Sequence, residues 1–217
     1  DGVRQLEHLP VLIGEALELD GAIRELAKYT PDIVAALSKY AISYNVNIIG
    51  GSMPEEREGD LYNTSYFLHR NGKIDKYDKI HPTPSEEYEW AIKGGDKVQV
   101  IETDAGKVGV LICYDVEFPE LARLLAEQGM QILFVPFLTD TQNAYNRVRY
   151  CAAARAIENE CYVAITGSVG NLPKVENMDI QYSQAAIFSP SDFSFPHDAI
   201  VAQASENEET IIVADVD

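Results

Sequence analysis

Gly109-Val110-Leu111-Ile112-Cys113-Tyr114-Asp115-Val116-Glu117-Phe118-Pro119-Glu120 is the stretch on which the fold turns. Val108 to Ile112 is a continuous apolar run, the pattern of a strand buried on both faces. Pro119 opens a helix that runs to Gln128 and closes at Gly129: proline suits the first helical position, glycine the left-handed exit. Cys113 therefore stands in a strand–turn–helix connection that projects its side chain at the sheet edge, where open α/β sheets bind ligands. A helix N-terminus and cationic neighbours would lower the thiol pKa and favour the thiolate. By residue type alone a cysteine is more often an inert core residue. Cys151, inside a helix, and Cys161, at the start of a strand, read that way.

Working outward, Asp20 to Tyr44 carries a helical pattern broken at Thr30-Pro31, with Asp20 and Thr30 as N-caps. Ile33, Val34, Leu37, Tyr40, Ala41 and Tyr44 mark its buried face, and Asn45 ends it. Val46 to Ile49 reads as a strand stopped by Gly50-Gly51. Tyr62 to His69 and Ile74 to Tyr77 flank Asn71-Gly72, a strong hairpin signal. Val98 to Ile101 reads as a short strand and Ile132 to Phe137 as a buried one. A helix follows over Ala144 to Asn159, then strands at Tyr162 to Thr166, Gln184 to Phe188, Ile200 to Ala202 and Thr210 to Val216. Helices alternating with strands predict an α/β fold with helices covering sheet faces. Gly167 to Asp179 is the longest loop-like stretch, expected near a functional edge.

Composition excludes several classes. The 217 residues suit one domain, and no apolar run approaches the roughly 20 residues of a membrane span. The 17 Lys and Arg against 35 Asp and Glu give a formal charge of −18, which disfavours nucleic acid and anionic membrane surfaces. The 3 cysteines show no paired spacing, so a reducing cytoplasm is expected. His8, His69, His81 and His197 lack metal-ligand spacing, and Gly50-Gly51 and Gly94-Gly95 read as turns and not as phosphate loops. No metal and no cofactor is expected. His81, beside Lys79, reads as a packing or loop residue.

The cysteine stretch closely resembles the cysteine motif of the nitrilase superfamily, and Tyr77-Asp78-Lys79-Ile80-His81 resembles its lysine motif. Further matches are Gly50-Gly51-Ser52, Tyr62-Asn63-Thr64 and Arg155-Ala156-Ile157-Glu158-Asn159, so the resemblance runs from about Ile33 to the C-terminus. His81-Pro82-Thr83-Pro84, Ile92-Lys93-Gly94-Gly95-Asp96 and Val169-Gly170-Asn171-Leu172-Pro173 are similar to one branch, often fused to an N-acetyltransferase domain. The resemblance implies a four-layer αββα sandwich, a homodimer joined through a helical face, and cleavage of a small-molecule amide. Residues 1–217 would form a single carbon–nitrogen hydrolase domain.

The family works with a glutamate–lysine–cysteine triad and a second glutamate. Carried onto this sequence, Cys113 forms a thioester, and Lys79 with the backbone N–H of Tyr114 stabilises the oxyanion. Glu86 best matches the assisting glutamate, with Glu87 and Glu89 beside it as alternatives. The general base is expected upstream of residue 1, together with the first strand, because Gln5-Leu6-Glu7-His8-Leu9-Pro10 resembles the family's segment just after that base. Glu15 imitates a strand-end glutamate but lies too close to the first helix. In the family the loop after the strand Ile132 to Phe137 faces the thiol, which makes Thr139, Asp140 and Tyr145 pocket candidates. Arg147 and Arg149 read first as helix-surface ion-pair partners, and Asn171 and Asn177 enter through loop position only. Three function classes emerge: an amidase-type hydrolase, a non-catalytic module of the same fold, and a redox-sensing thiol protein.

Overall fold

The strand Asp60–Leu68 shows how the layers arise, because its side chains alternate between two cores. Tyr66 and Leu68 are buried on one face with Ala41, Val34, Leu37, Ile48 and Met53, whereas Phe67 joins a different and larger cluster. A computed structural model describes residues 19–175 and 178–216 of the chain. In chain order the elements are α1 (Leu19–Ala27), α2 (Thr30–Ser43), β1 (Ile48–Arg57), β2 (Asp60–Leu68), β3 (Ile74–Asp78), α3 (Pro84–Tyr88), β4 (Ile92–Lys93), β5 (Ile101–Thr103) and β6 (Gly106–Val110). A 3₁₀ turn (Cys113–Glu117), α4 (Pro119–Glu127), β7 (Ile132–Phe137), α5 (Gln142–Asn159), β8 (Tyr162–Gly167), β9 (Ala186–Phe188) and β10 (Ile200–Gln203) complete it.

Strands β1, β2 and β3 form an antiparallel sheet, with β4 added parallel to the start of β2. The second sheet has the order β10-β9-β8-β7-β6-β5. Its centre, β6-β7-β8, is parallel, and α4 and α5 are the crossovers that parallel pairing requires. Phe67 and Ile49 of the first sheet join the same hydrophobic cluster as Val108 and Val110 of the second. Leu121 and Leu125 of α4 and Val148, Ala152 and Ala156 of α5 cover the other face of the second sheet. Helix, sheet, sheet, helix: the chain is the four-layer sandwich that the resemblance implied.

Most elements lie where the sequence puts them, and the departures have physical causes. Asp20 lies within α1 and not ahead of it. Thr30 does not cap α2, because its hydroxyl donates to Pro54 O at 2.7 Å. Gly50-Gly51 does not stop the first strand; β1 runs through it with a register shift between Ile49 and Ser52. A side chain at Gly50 would come within 2.8 Å of Leu37 Cδ1, so the glycine lets α2 lie close against the sheet. Val98 and Val100 are not in a strand: the Gln128 side chain takes their backbone carbonyl and N–H, and β5 starts at Ile101. Thr210 to Val216 forms no strand among the described residues, and Ile211 and Val213 are 87% and 84% exposed. A β-branched run becomes a strand only where a neighbour takes its hydrogen bonds. Expectations for the residues before Leu19, including Glu15, and for Asn177 lie outside the described residues.

The inter-sheet core should dominate stability. Phe67→Ala should cost about 3–5 kcal/mol in urea unfolding, and Tyr88→Ala, at an exposed position, no more than about 0.5 kcal/mol. Equal effects would contradict this account of the layers.

Candidate functional site

Lys79 is the least expected member of the site, since lysines are almost never fully buried unless paired. Here it is 2% exposed, and its Nζ donates to Glu86 Oε2 at 2.5 Å. Glu86 is held from three further directions. Its Oε1 accepts from Asn63 Nδ2 at 2.8 Å, its Oε2 accepts from Thr83 N at 2.7 Å, and its own N–H donates to Thr83 Oγ1. The last two contacts are a reciprocal capping box that starts α3 with Pro84 at its first position. Of the three acids in this stretch, Glu86 turns inward, while Glu87 and Glu89 are exposed. Desolvation opposes ionisation of Glu86. The Lys79 charge and hydrogen bond, followed by Thr83 and Asn63, outweigh it and hold the carboxyl below its usual range.

The Lys79 backbone is fixed as tightly. Its N–H donates to Asn63 O, and its carbonyl accepts from Gly95 N at 2.8 Å. A Cβ on Gly95 would lie 2.7 Å from Asp78 O, and one on Gly94 2.6 Å from Ile80 O. The two glycines, read from sequence as a turn, press directly on the backbone on both sides of the lysine.

Cys113 begins the 3₁₀ turn at the carboxyl end of β6, with φ +49. The left-handed conformation of a non-glycine residue costs about 1 kcal/mol or more and persists where its surroundings fix it. Three supports do so here. Leu111 N donates to Phe134 O of β7. Arg155, buried in α5, donates to the carbonyls of Val116 and Glu117. Asp115, fully buried, accepts from Tyr77 OH at 2.8 Å, Ile80 N at 3.2 Å, His81 N at 2.8 Å and His81 Nδ1 at 3.1 Å. Burial still pushes the Asp115 carboxyl up, against the pull of those donors. The His81 ring stacks on Phe118 at 3.7 Å and 6°, a packing role as its sequence position suggests.

Cys113 is partly exposed as a residue, but its thiol is well shielded from solvent and donates to Leu138 O, just past β7, at 3.7 Å. Desolvation is the strongest influence on its thiol and pushes its pKa up; the charge of Lys79 pulls it down and that of Glu86 raises it. The expected lowering by a cation is present, but burial overrides it. The resting group is a thiol, and its attack on a carbon requires a base to take the proton.

The remaining candidates stand at varying distance from this centre. Tyr114 follows the cysteine and packs edge-on against Phe118. It also walls a cavity of about 750 Å³ shared with His81, Glu87 and Lys93; Cys113, Lys79 and Glu86 are not part of that wall. Thr139 is buried and donates its hydroxyl to Tyr182 O, while Asp140 is exposed and accepts from Thr141 Oγ1. Tyr145 is buried with its hydroxyl between Gln184 Oε1 and Arg149 Nη1. Arg147 pairs with Glu117 at 3.5 Å, as a helix-surface ion pair would. The Asn171 side chain accepts from Gln181 N. Asn63, Tyr77, Asp115 and Arg155 stand inside recognisable motifs that say nothing of their role. Their partners lie 23 to 39 positions away, so no local pattern reveals them. Among the described residues no group of three or more His, Cys, Asp or Glu is arranged to hold a metal ion, and no helix is long and apolar enough to cross a membrane.

Residues 15–217 match the model of the carbon-nitrogen hydrolase family. A probable hydrolase of Bacillus subtilis, YhcX, is 50% identical over 196 residues, covering 90% of this chain and 38% of that protein. The omega-amidase NIT3 of Saccharomyces cerevisiae is 34% identical over 85% of this chain and 63% of its own length. The crystal structure of yeast Nit3, described as a member of branch 10 of the nitrilase superfamily, superposes with a TM-score of 0.71 at 32% identity, covering 82% of this chain and 62% of that one. A carbon-nitrogen hydrolase from Helicobacter pylori superposes at 0.72 with 25% identity, over 85% of this chain and 67% of that one. The chain thus spans less than two thirds of the length of both sequence relatives.

The depressed Glu86 pKa fixes the sign of a pH effect. Stability from its ionised form is fully present above the unfolded value of about 4.3 and is lost as pH falls through the folded value. Glu86→Gln, which strands the buried lysine, should cost about 3–5 kcal/mol at neutral pH. The gap in melting temperature from wild type should shrink on acidification. A gap that stays constant down to acid pH would show that the pair contributes nothing.

Proposed function

This chain belongs to the carbon–nitrogen hydrolase family of the nitrilase superfamily, and from that premise we propose that it cleaves amide-type carbon–nitrogen bonds in small molecules, other than peptide bonds, with Cys113 as nucleophile. The observation that carries the proposal is a buried, ion-paired lysine whose charge acts on the shielded thiol of Cys113 at the carboxyl end of a parallel strand.

The Cys113 sulfur attacks the amide carbon and its proton passes, through a general base, to the leaving nitrogen. A sulfur–carbon bond forms, the carbon–nitrogen bond breaks, and a thioester remains. Water then adds to the thioester carbon, the sulfur–carbon bond breaks, and a water proton returns to sulfur as the acid leaves. Lys79 and the backbone N–H of Tyr114 stabilise the oxyanion of both steps, at about 3–4 kcal/mol per donor. Glu86 keeps Lys79 charged and aimed. The general base is a glutamate expected ahead of residue 1, where the resemblance places the first strand. Thr139 and Asp140 enter the substrate wall through the loop whose Leu138 carbonyl meets the sulfur. Tyr145 backs that loop through its contacts with Phe137 and Tyr182.

The yeast relative is an omega-amidase, which puts terminal amides first among substrates to assay. A redox sensor needs a low-pKa thiol, and burial raises that of Cys113. Reducing surroundings, as in the cytoplasm, suit 3 free cysteines. The fused N-acetyltransferase domain of the resembling branch is a further proposal, lying outside residues 1–217.

In the complete protein, Cys113→Ala should abolish ammonia release from terminal amides, and Lys79→Ala should lower kcat by at least about a hundredfold. Undiminished turnover in Cys113→Ala would remove the hydrolase mechanism and leave a binding or regulatory module. Exposed Leu124, Tyr150 and Ile157 on α4 and α5 support a homodimer through this helical layer. Sedimentation should give twice the chain mass, falling to one chain in Tyr150→Glu; an unchanged mass would place the contact elsewhere.

A further inference from the structure

Lys79 and Cys113 reach the site from different sheets: the lysine follows β3 of the first, the cysteine follows β6 of the second. Sheets that pack through apolar side chains can slide by fractions of an ångström at little cost, because dispersion contacts are individually weak and non-directional. Chemistry between a sulfur and an ammonium is far less tolerant, since a misplacement of about 1 Å can cost a hundredfold in rate. Something directional must fix the two segments against each other.

Among the described residues, every hydrogen bond between segment 77–81 and turn 113–117 ends on the Asp115 carboxylate. Oδ2 takes the Tyr77 hydroxyl and the Ile80 N–H; Oδ1 takes the N–H and Nδ1 of His81. These donors bracket Lys79 on both sides, and Asp115 stands two residues past Cys113. We infer that Asp115 is a positioning residue: it clamps the lysine segment to the cysteine turn across the seam between the sheets and thereby sets the Lys79–Cys113 geometry. The inference rests on the reading of these two residues as the reacting groups. With both oxygens occupied by donors, Asp115 has no free lone pair aimed at a substrate and acts through Lys79 and Cys113 alone. Its neighbours reinforce the clamp, since Arg155 holds the far end of the same turn and Gly94-Gly95 press on the lysine segment.

Asp115→Asn tests the clamp. It keeps the side-chain shape but replaces one acceptor oxygen by a donor, which must then face an N–H or hydroxyl. Tyr77→Phe is the milder companion, removing one of four donors. The measurement is the rate of Cys113 alkylation by iodoacetamide as a function of pH, followed on the Cys113 peptide by mass spectrometry, together with kcat and KM on the best amide. Asp115→Asn should fold, alkylate about tenfold more slowly at neutral pH, and show its midpoint about one pH unit higher, because Lys79 no longer bears on the sulfur. Its kcat should fall with KM within about twofold of wild type. Tyr77→Phe should move in the same direction by less. Variants that melt earlier but keep the wild-type alkylation profile and kcat would reduce Asp115 to a stability strut and overturn the inference. If Asp115→Asn does not fold, Tyr77→Phe decides by the same profile. Alkylation needs no turnover, so the clamp can fail while the hydrolase reading stands, and the reverse.

Discussion

An ammonium group taken out of water must be paired, and the Lys79–Glu86 ion pair is the constraint around which this site is organised. Meeting it takes residues from four places. Asn63 comes from β2, Thr83 from the loop after β3, Glu86 from α3, and the glycine pair follows β4. The same requirement explains α3. Five residues are too few for a stable helix alone. Proline at its first position, the reciprocal Thr83–Glu86 cap, and the charge waiting for Glu86 make it worth forming.

The second constraint is the turn that presents Cys113. Holding a non-glycine residue at φ +49 costs free energy, and the supports on that turn come from three separate parts of the fold. Arg155 shows why a charged residue recurs in the core of such a protein. Its guanidinium spreads over two carbonyls and the Glu158 carboxylate, a planar fork that a lysine would not reproduce. Burial holds the Cys113 thiol in its protonated form, against the pull of the Lys79 charge.

The helices and strands of the core were readable in advance where one local rule decided. The Asn71-Gly72 hairpin, the limits of β7 and the proline-to-glycine span of α4 depend on turn chemistry, apolar runs and end preferences, and all lie where the pattern puts them. The elements that differ depend on a distant partner. Thr30 spends its hydroxyl on Pro54, Gln128 substitutes for a strand beside Val98 and Val100, and the run after Thr210 has no neighbouring strand among the described residues.

The same division runs through the site. Residue order was enough to bring Cys113 and Lys79 forward together, because each stands in a short, recognisable motif, and it left Glu86 beside Glu87 and Glu89 as alternatives. It was silent on their electrostatics and their supports. Whether a cation or burial dominates a thiol is a sum over charges and solvent in space, and that sum reversed the expected direction for Cys113. Which carboxylate turns inward among Glu86, Glu87 and Glu89, and that Asp115 joins two sheets, are decided by contacts between segments far apart along the chain. Local order in a sequence carries local chemistry; long-range hydrogen bonds and desolvation come into being only when the sheets close on each other.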